Sequence, residues 1–339
     1  MAGPDLRDYT RSELAEIMVS LGEKKSCAAR VFDCLYRKGA EIFDAVPSVS
    51  ENVKGKIAQR YSLARFPVID RQVSTIDGTI KLLFRFQDGE TAESVVLFNE
   101  KRASACISSQ SGCACGCGFC ATGGLGFKRD LTPAEITGQF AACLRSAGGA
   151  LNSVVFMGMG EPFLNWENVK KSILILSDNK GYNFPQTKIT ASTVGIVPVI
   201  RELAQSDLKI KLAISIITAD EKQRAKLAPM DAKYPLREII ASARYYCARK
   251  AKPVFFEYIL FKDLNDSPRD AGKLLDLVKG IDCKINLILY NRSEGKVFRG
   301  CGLEDAKEFQ KIIMAAGIRT YLRKEKGSDI SAACGQLAG

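Results

Sequence analysis

From about Ser104 the chain alternates between short apolar runs and amphipathic stretches, and that alternation leaves few folds open. The apolar runs fall at 105–108, 153–157, 188–192, 211–215, 254–260 and 284–289. Segments with helical spacing lie between and after them, at 132–145, 166–177, 235–249, 268–279 and 304–316. Parallel neighbours need a long crossover, so strands separated by helices predict an α/β fold, a parallel sheet with helices outside. Roughly six such units predict an open, partial (β/α)6 barrel rather than a closed eight-fold one. In such folds the chemistry sits at the carboxyl ends of the strands.

The residues before this region follow other periods. Thr10-Arg-Ser-Glu13 has the form of a capping box ahead of Leu14, Ile17, Met18 and Leu21. A second helix is expected over 28–38, with Val31, Phe32 and Leu35 on one face, and a third over 50–61. The period then changes to two. Ile80, Leu82, Phe84 and Phe86 alternate with Lys81, Leu83 and Arg85, and Asp88-Gly89 turns the chain into Ser94-Val-Val-Leu-Phe98, a β-hairpin pattern. The expected organisation is a small helical N-terminal domain at 1–65, a hairpin and linker at 66–102, the barrel at 103–325 and a C-terminal loop at 326–339.

Soon after the first barrel strand comes Cys113-Ala-Cys-Gly-Cys117-Gly-Phe-Cys120, with the spacing C-x3-C-x2-C. Thiolates in such sets suit zinc or iron–sulfur clusters. A structural zinc or a fully ligated cubane takes four protein ligands, and the chain contains no histidine. If Cys113, Cys117 and Cys120 hold three irons of a [4Fe–4S] cluster, the fourth iron is open to a small molecule. The chain has twelve cysteines, but it is 339 residues long and 46% hydrophobic, enough to bury its own core. The opening residues show no charged region leading into an apolar stretch, and no apolar run is long enough to cross a bilayer. These features predict a cytoplasmic protein with reduced thiols and no membrane association. Cys27, Cys34, Cys143, Cys247, Cys283 and Cys301 read mostly as small buried hydrophobes. Cys115 is an extra thiol within the loop, a fortuitous surface residue or one that competes for iron or becomes oxidised.

Three further segments follow strand ends. In Met157-Gly-Met-Gly160-Glu161-Pro162 the glycines permit close approach of the backbone and Glu161 suits an ammonium group, although a glycine pair alone is often a tight turn. Thr190-Ala-Ser192 and Leu212-Ala-Ile-Ser215 each end a strand in serine, which by itself is commonly a helix cap. Converging at one barrel mouth, these residues suit the polar parts of a cofactor. The net charge of +11 lies entirely beyond residue 100: residues 1–100 carry 14 basic and 15 acidic side chains, residues 101–339 carry 35 and 23. Such an excess suits a polyanion such as RNA and is equally compatible with a solvated basic surface.

Taken together, Cys106-Ile-Ser-Ser-Gln-Ser-Gly-Cys113, the cysteine triplet, Ala121-Thr-Gly, Gly126-Phe-Lys-Arg-Asp-Leu131, Gly158-Met-Gly-Glu-Pro162 and the ending Asp329-Ile-Ser-Ala-Ala-Cys334-Gly-Gln-Leu-Ala-Gly339 form one pattern. It resembles the RlmN/Cfr group of radical S-adenosylmethionine (SAM) RNA methyltransferases and covers nearly the whole chain. The triplet alone marks the wider radical SAM superfamily; the triplet with the Ala-Cys-Gly-Gln-Leu ending is far more specific. The resemblance implies a [4Fe–4S] cluster on Cys113, Cys117 and Cys120, and SAM as cofactor and methyl source. It implies that one SAM methylates Cys334 and that a second is cleaved reductively to a radical. That radical takes a hydrogen from the methylated Cys334, which then adds to adenine. Cys106 resolves the protein–RNA crosslink by attack on the Cys334 sulfur, and Glu93 is the proton acceptor. Cofactor contacts carried over are Gly160, Glu161, Ser192, Ser215, Ile216, Ile217 and Asn291. Without the resemblance, Asn291 reads as a turn residue, Glu93 as a surface charge opening a strand, and Cys106 and Cys334 as structural thiols.

The implied reaction is methylation of carbon 2 of an adenine in 23S rRNA (the adenosine-2503 type) and in tRNA (the adenosine-37 type). An external flavodoxin-like or ferredoxin-like electron donor serves a monomeric enzyme. The closest alternative is Cfr-type methylation at carbon 8; the Gly160-Glu161-Pro162 run is closer to RlmN. A radical SAM activase or a non-catalytic iron–sulfur protein shares the triplet but has no need of Cys106 or Cys334. One departure is evident: the family usually has Ser-Leu-His where this chain has Ser215-Ile216-Ile217. The near-neutral N-terminal helices are expected to engage RNA by shape. Deleting residues 1–100 is expected to abolish RNA methylation while sparing SAM cleavage.

Overall fold

The computed structural model describes residues 3–40, 49–100, 102–292 and 295–339. Three helices open the chain: α1 (Arg11–Ser20), α2 (Cys27–Tyr36) and α3 (Glu51–Arg60). The Thr10 hydroxyl accepts from the Glu13 N–H, and the Glu13 carboxylate accepts the Thr10 N–H at 2.8 Å, so two otherwise orphaned amides of the first turn are satisfied. Apolar faces of the three helices meet in a small core that includes Leu14, Met18, Phe32, Leu35, Val53 and Ile57.

A ten-stranded sheet follows. Its antiparallel part comprises β1 (Val68–Val73), β2 (Ile80–Arg85), β3 (Thr91–Asn99) and β4 (Arg102–Ile107). From β4 onward every neighbour is parallel, through β7 (Ser153–Phe156), β8 (Ile189–Thr193), β9 (Lys211–Ile217), β10 (Val254–Leu260), β11 (Cys283–Leu289) and β12 (Thr320–Arg323). A separate two-stranded ladder joins β5 (Gln110–Gly112) to β6 (Phe127–Asp130). The helices are a short α4 (Ala121–Leu125), then α5 (Pro133–Ser146), α6 (Trp166–Ser177), α7 (Val197–Gln205), α8 (Glu221–Leu227), α9 (Leu236–Lys250), α10 (Pro268–Val278) and α11 (Leu303–Ala315). The α/β partial barrel anticipated from the alternation is the fold observed.

Two strands carried no sequence signal. β1 turns the expected hairpin into three strands, yet five of its six residues are exposed, because an edge strand with no covering layer needs no alternation. β12 adds a seventh parallel strand of only four residues at the opposite edge.

Register decides which side chains share a face. Cys106 pairs with Val95 and with Val155, Val155 with Thr190, and Ser192 with Ala213. Ser215 pairs with Glu257, and Glu257 with Asn286. Paired residues point the same way, as do residues two apart on one strand. Glu93, Cys106, Ser192, Ser215, Glu257 and Asn286 therefore all face one side of the sheet. The other side is the helical one, where Tyr258 packs on Phe309 of α11 at a centroid distance of 5.3 Å. The shared face is the inside of the barrel.

Candidate active site

The cysteine loop leaves β5 through Gly112, whose φ of +71° and lack of Cβ let it lie directly against the Gly126 carbonyl. The Cys113 N–H donates to that carbonyl at 3.0 Å, the Gly118 N–H to Leu227 O at 3.0 Å, and the Cys120 N–H to Cys117 O at 3.2 Å. A Cβ on Gly123 would stand 2.9 Å from the Cys117 backbone, so α4 presses onto the loop. Cys113, Cys117 and Cys120 are half-buried. Burial pushes the Cys117 and Cys120 thiols up, and the other loop thiols push them further. Three thiolates this close repel one another and favour a shared cationic partner.

Among the described residues no group of three or more His, Cys, Asp or Glu converges on a single-ion position. A tetrahedral zinc at about 2.3 Å from each sulfur would require such convergence. A cubane, with one iron for each thiolate, does not. A donor set of thiolates alone, in a chain without histidine, therefore fits a cluster. Cys115 is not a surface residue, contrary to the first of the readings open for it. It is only 4% exposed, lies in the main core and hydrogen-bonds the Cys113 thiol.

Glu161 follows β7. Gly158 passes against Ile107 and Ser108, and Gly160, at φ +92°, passes against Gln110, with no room for a Cβ at either. The Glu161 carboxylate accepts from the Phe163 N–H at 2.9 Å and the Val194 N–H at 2.8 Å. Burial outweighs these bonds and raises its pKa to about 7. A ligand ammonium would restore the ionised form.

Ser192 and Ser215 end β8 and β9 half-buried on the concave face. Ile216 and Ile217 are fully buried, and a bulge sets Ile217 opposite Tyr258, a helix-side position. Ile217 has φ +68°, an uncommon conformation for a β-branched residue, worth about 1–2 kcal/mol of strain. It is held by its neighbours: Asn265 donates to Ile217 O at 3.2 Å and Arg224 Nε to Ile216 O at 3.1 Å. Arg224 is 0% exposed, binds Val194 O at 2.6 Å and pairs with Asp231. It thus ties the ends of β8 and β9 together, and its charge is felt by Cys117. Sequence reading missed it, since a single arginine in a helix of mixed charge carries no pattern.

The C-terminal segment is fastened across the barrel mouth. Asn291 Nδ2 donates to Cys334 O at 3.2 Å, the Ala121 N–H to Gly335 O at 2.8 Å, and Thr122 Oγ1 to Leu337 O at 2.6 Å. Glu93 Oε2 accepts the Ala338 and Gly339 N–H groups at 2.9 and 3.2 Å, while Oε1 pairs with Lys81 Nζ at 3.0 Å. Glu93 is therefore a buried tail anchor as well as a candidate base. Cys334 keeps accessible surface, yet surrounding protein raises its pKa, Arg323 lowering it and Glu257 raising it further. Cys106 is buried, its thiol pushed up by desolvation and then by Cys334, so the two sulfurs lie within electrostatic reach. All twelve cysteines are free thiols.

A partial β/α barrel with a three-thiolate loop after its first parallel strand defines a radical SAM protein, and residues 107–275 match the family model of the Radical SAM superfamily. Residues 4–63 match the ribosomal RNA large subunit methyltransferase N-terminal domain. The dual-specificity RNA methyltransferase RlmN of Syntrophotalea carbinolica is 40% identical over 99% of this chain and 90% of its own length. RlmN 2 of Myxococcus xanthus is 39% identical, over 94% and 86%. The crystal structure of a radical SAM methyltransferase from Sphaerobacter thermophilus superposes with a TM-score of 0.92 at 39% identity, covering 98% of this chain and 99% of that one. The chain belongs to the RlmN family of radical SAM RNA methyltransferases. It is a SAM-dependent RNA methyltransferase whose cofactors are a [4Fe–4S] cluster and SAM. No helix among the described residues is long and apolar enough to cross a membrane.

Proposed function

We propose that this enzyme methylates carbon 2 of an adenine in 23S rRNA and of an adenine in tRNA, through a methylated Cys334 and a transient crosslink between that residue and the RNA. The observation that carries the reading is the meeting of two thiols, Cys334 from the tail and Cys106 from β4, beside the cysteine loop. The loop and the tail are bonded directly through Ala121 and Thr122. A radical SAM activase has no use for that pair. The dual-specificity name borne by the relatives supports two classes of RNA substrate.

Cluster and SAM together supply one-electron chemistry, which an sp2 ring carbon with no nucleophilic character requires. Cys113, Cys117 and Cys120 hold the cluster. Glu161, with Gly160, receives the methionine ammonium. Ser192, Ser215 and Asn291 line the pocket, and Ile216 and Ile217 shape its wall without a polar side chain. Cys334 carries the one-carbon unit, Cys106 releases the product by attacking the Cys334 sulfur, and Glu93 accepts the adenine proton once the tail lifts from it. The helical unit at 1–65 engages the RNA, 66–102 links it to the barrel at 103–325, and 326–339 delivers Cys334. The enzyme acts as a cytoplasmic monomer with a flavodoxin-like or ferredoxin-like electron donor.

Nucleoside mass spectrometry of RNA treated with the reconstituted enzyme, resolved against both methyladenosine isomers, tests this. The expected product is 2-methyladenosine in both RNA classes. Recovery of 8-methyladenosine alone would refute the regiochemistry, and turnover by a Cys334→Ala variant would refute the carrier role.

A further inference from the structure

One carboxylate inside the barrel has no role in the scheme above. Glu257 lies in the middle of β10, in a run that is otherwise entirely apolar and aromatic, Val254-Phe-Phe-Glu257-Tyr-Ile-Leu260. It is 3% exposed. Its Oε1 accepts from Asn286 Nδ2 at 2.7 Å, which fixes the carboxylate plane, while Oε2 is buried with no hydrogen-bond partner among the described residues. Arg323 lies within electrostatic reach, yet no hydrogen bond joins the two. An unsatisfied buried carboxylate oxygen is costly, and such atoms are rare in folded proteins. Here the cost persists at one defined place, on the concave face, in register with Ser215 on one side and Asn286 on the other.

That place selects its ligand. Oε2 of an ionised carboxylate only accepts hydrogen bonds, so the missing group is a donor. The neighbouring Ser215 hydroxyl stands one strand spacing away, about 4.8 Å, and can donate or accept. A vicinal diol presents two hydroxyls side by side and matches that pair; carboxylate recognition of ribose hydroxyls is a recurrent solution in nucleotide sites. The ribose of an RNA substrate carries phosphates on either side, which a buried carboxylate repels. The ribose of SAM is attached to a sulfonium and an ammonium, which it attracts. We propose that Ser215, Glu257 and Asn286 form the ribose-hydroxyl site of the nucleoside cofactor, with Glu257 Oε2 accepting from a hydroxyl. The proposal rests on the SAM-dependent reading of this same barrel mouth.

The test is anaerobic equilibrium dialysis of cluster-reconstituted protein with SAM and with its 2′-deoxy and 3′-deoxy analogues, alongside retention of a 23S rRNA fragment. Glu257→Met, similar in length and apolar, is expected to weaken SAM binding roughly 10- to 100-fold, the loss typical of one hydrogen bond to a charged group. Glu257→Gln, which keeps the shape, is expected to lose less. Wild-type protein should bind at least one deoxy analogue more weakly than SAM by a similar factor, and Glu257→Met should no longer discriminate that analogue from SAM. RNA retention should be unchanged. The proposal is overturned if wild-type protein binds both analogues as tightly as SAM. It is also overturned if the variants weaken SAM and both analogues equally, or if RNA retention falls while SAM binding holds. Failure of wild-type protein to bind SAM would overturn the parent reading and this one with it, and would appear in the wild-type arm alone.

Discussion

Removing the Glu93 carboxylate should release the segment that carries Cys334. Two backbone amides, Ala338 and Gly339, donate to Glu93 Oε2, and Lys81 pairs with Oε1. Hydrogen bonds to a charged acceptor contribute about 1.5–3 kcal/mol each. Losing both should lower the opening free energy of the last residues by about 3 kcal/mol, or roughly 100-fold in opening equilibrium. The bonds closer to Cys334, from Asn291, Ala121 and Thr122, remain. Opening should therefore start beyond Leu337 and loosen Cys334 only in part. Glu93→Ala has a second consequence, because the Lys81 side chain is 12% exposed and loses its counter-charge. That costs about 3–5 kcal/mol of global stability. Adding Lys81→Met separates the two effects: the double variant should recover most of the global stability and none of the tail protection. Amide hydrogen exchange at 338 and 339, with urea unfolding of the same proteins, reads both quantities. Tail exchange unchanged in Glu93→Ala, with RNA methylation lost, would show Glu93 acting as a proton acceptor alone and refute the clamp.

Binding of SAM should weaken about tenfold for each pH unit below about 7, as Glu161 protonates and loses its attraction for the ammonium, and should weaken again once the ligand amine deprotonates; Glu161→Gln should flatten the acid limb. The folded pKa of Glu161 lies above its unfolded value of 4.5, so ionisation burdens the folded state. The contribution of this group to stability should fall as pH rises from about 4.5 to 7, which urea titrations of wild type against Glu161→Gln would measure. Gly160→Ala forces a Cβ to within 2.5 Å of Gln110 Cβ at φ +92°, and should cost about 1–3 kcal/mol and at least tenfold in SAM affinity with iron content unchanged. Asp231→Asn strips Arg224 of its only ion-pair partner among the described residues and should destabilise the protein by about 3–5 kcal/mol in urea unfolding; a loss under about 1 kcal/mol would mean the guanidinium is satisfied by the strand-end carbonyls alone.

The barrel was legible because buried parallel strands and amphipathic helices leave opposite periods in a sequence, and because the cysteine loop follows the first parallel strand closely. The site was legible in part. Thiols at fixed spacing announce a metal, and Gly158 and Gly160 stand where the backbone admits no Cβ. Arg224, Asp231 and Lys81 were not legible, since their meaning lies in partners distant in sequence or in a strand-end carbonyl, and a lone charge has no period. Glu257 did leave a trace, a single carboxylate inside an apolar strand run. Such a residue is expensive to bury, and the expense is itself a signal of a ligand. The edge strands β1 and β12 were invisible for the opposite reason: exposed strands bury too little to need a pattern.

The expected cut at residue 100 does not separate RNA engagement from cofactor chemistry. β3 lies within 91–99, pairs with β4 along five positions and carries Glu93, which holds the tail. β2 carries Lys81, which holds Glu93 in turn. Removing residues 1–100 would open a new sheet edge beside Cys106 and free the Cys334 segment, so both activities would fall together. A cut near residue 65 leaves the ten-stranded sheet whole. Even there the two parts are bonded, through Arg11 to Asp178, Lys171 to Glu13 and the Ala134 N–H to Asp8, and Ile175 belongs to the small helical core. Those contacts reach α5 and the end of α6, on the helical side of the sheet rather than its concave face. The near-neutral helical unit is thus coupled to the barrel wall and not to the cofactor mouth. On that geometry, removing only the first 65 residues leaves SAM cleavage to the barrel and takes away the surface proposed to hold the RNA.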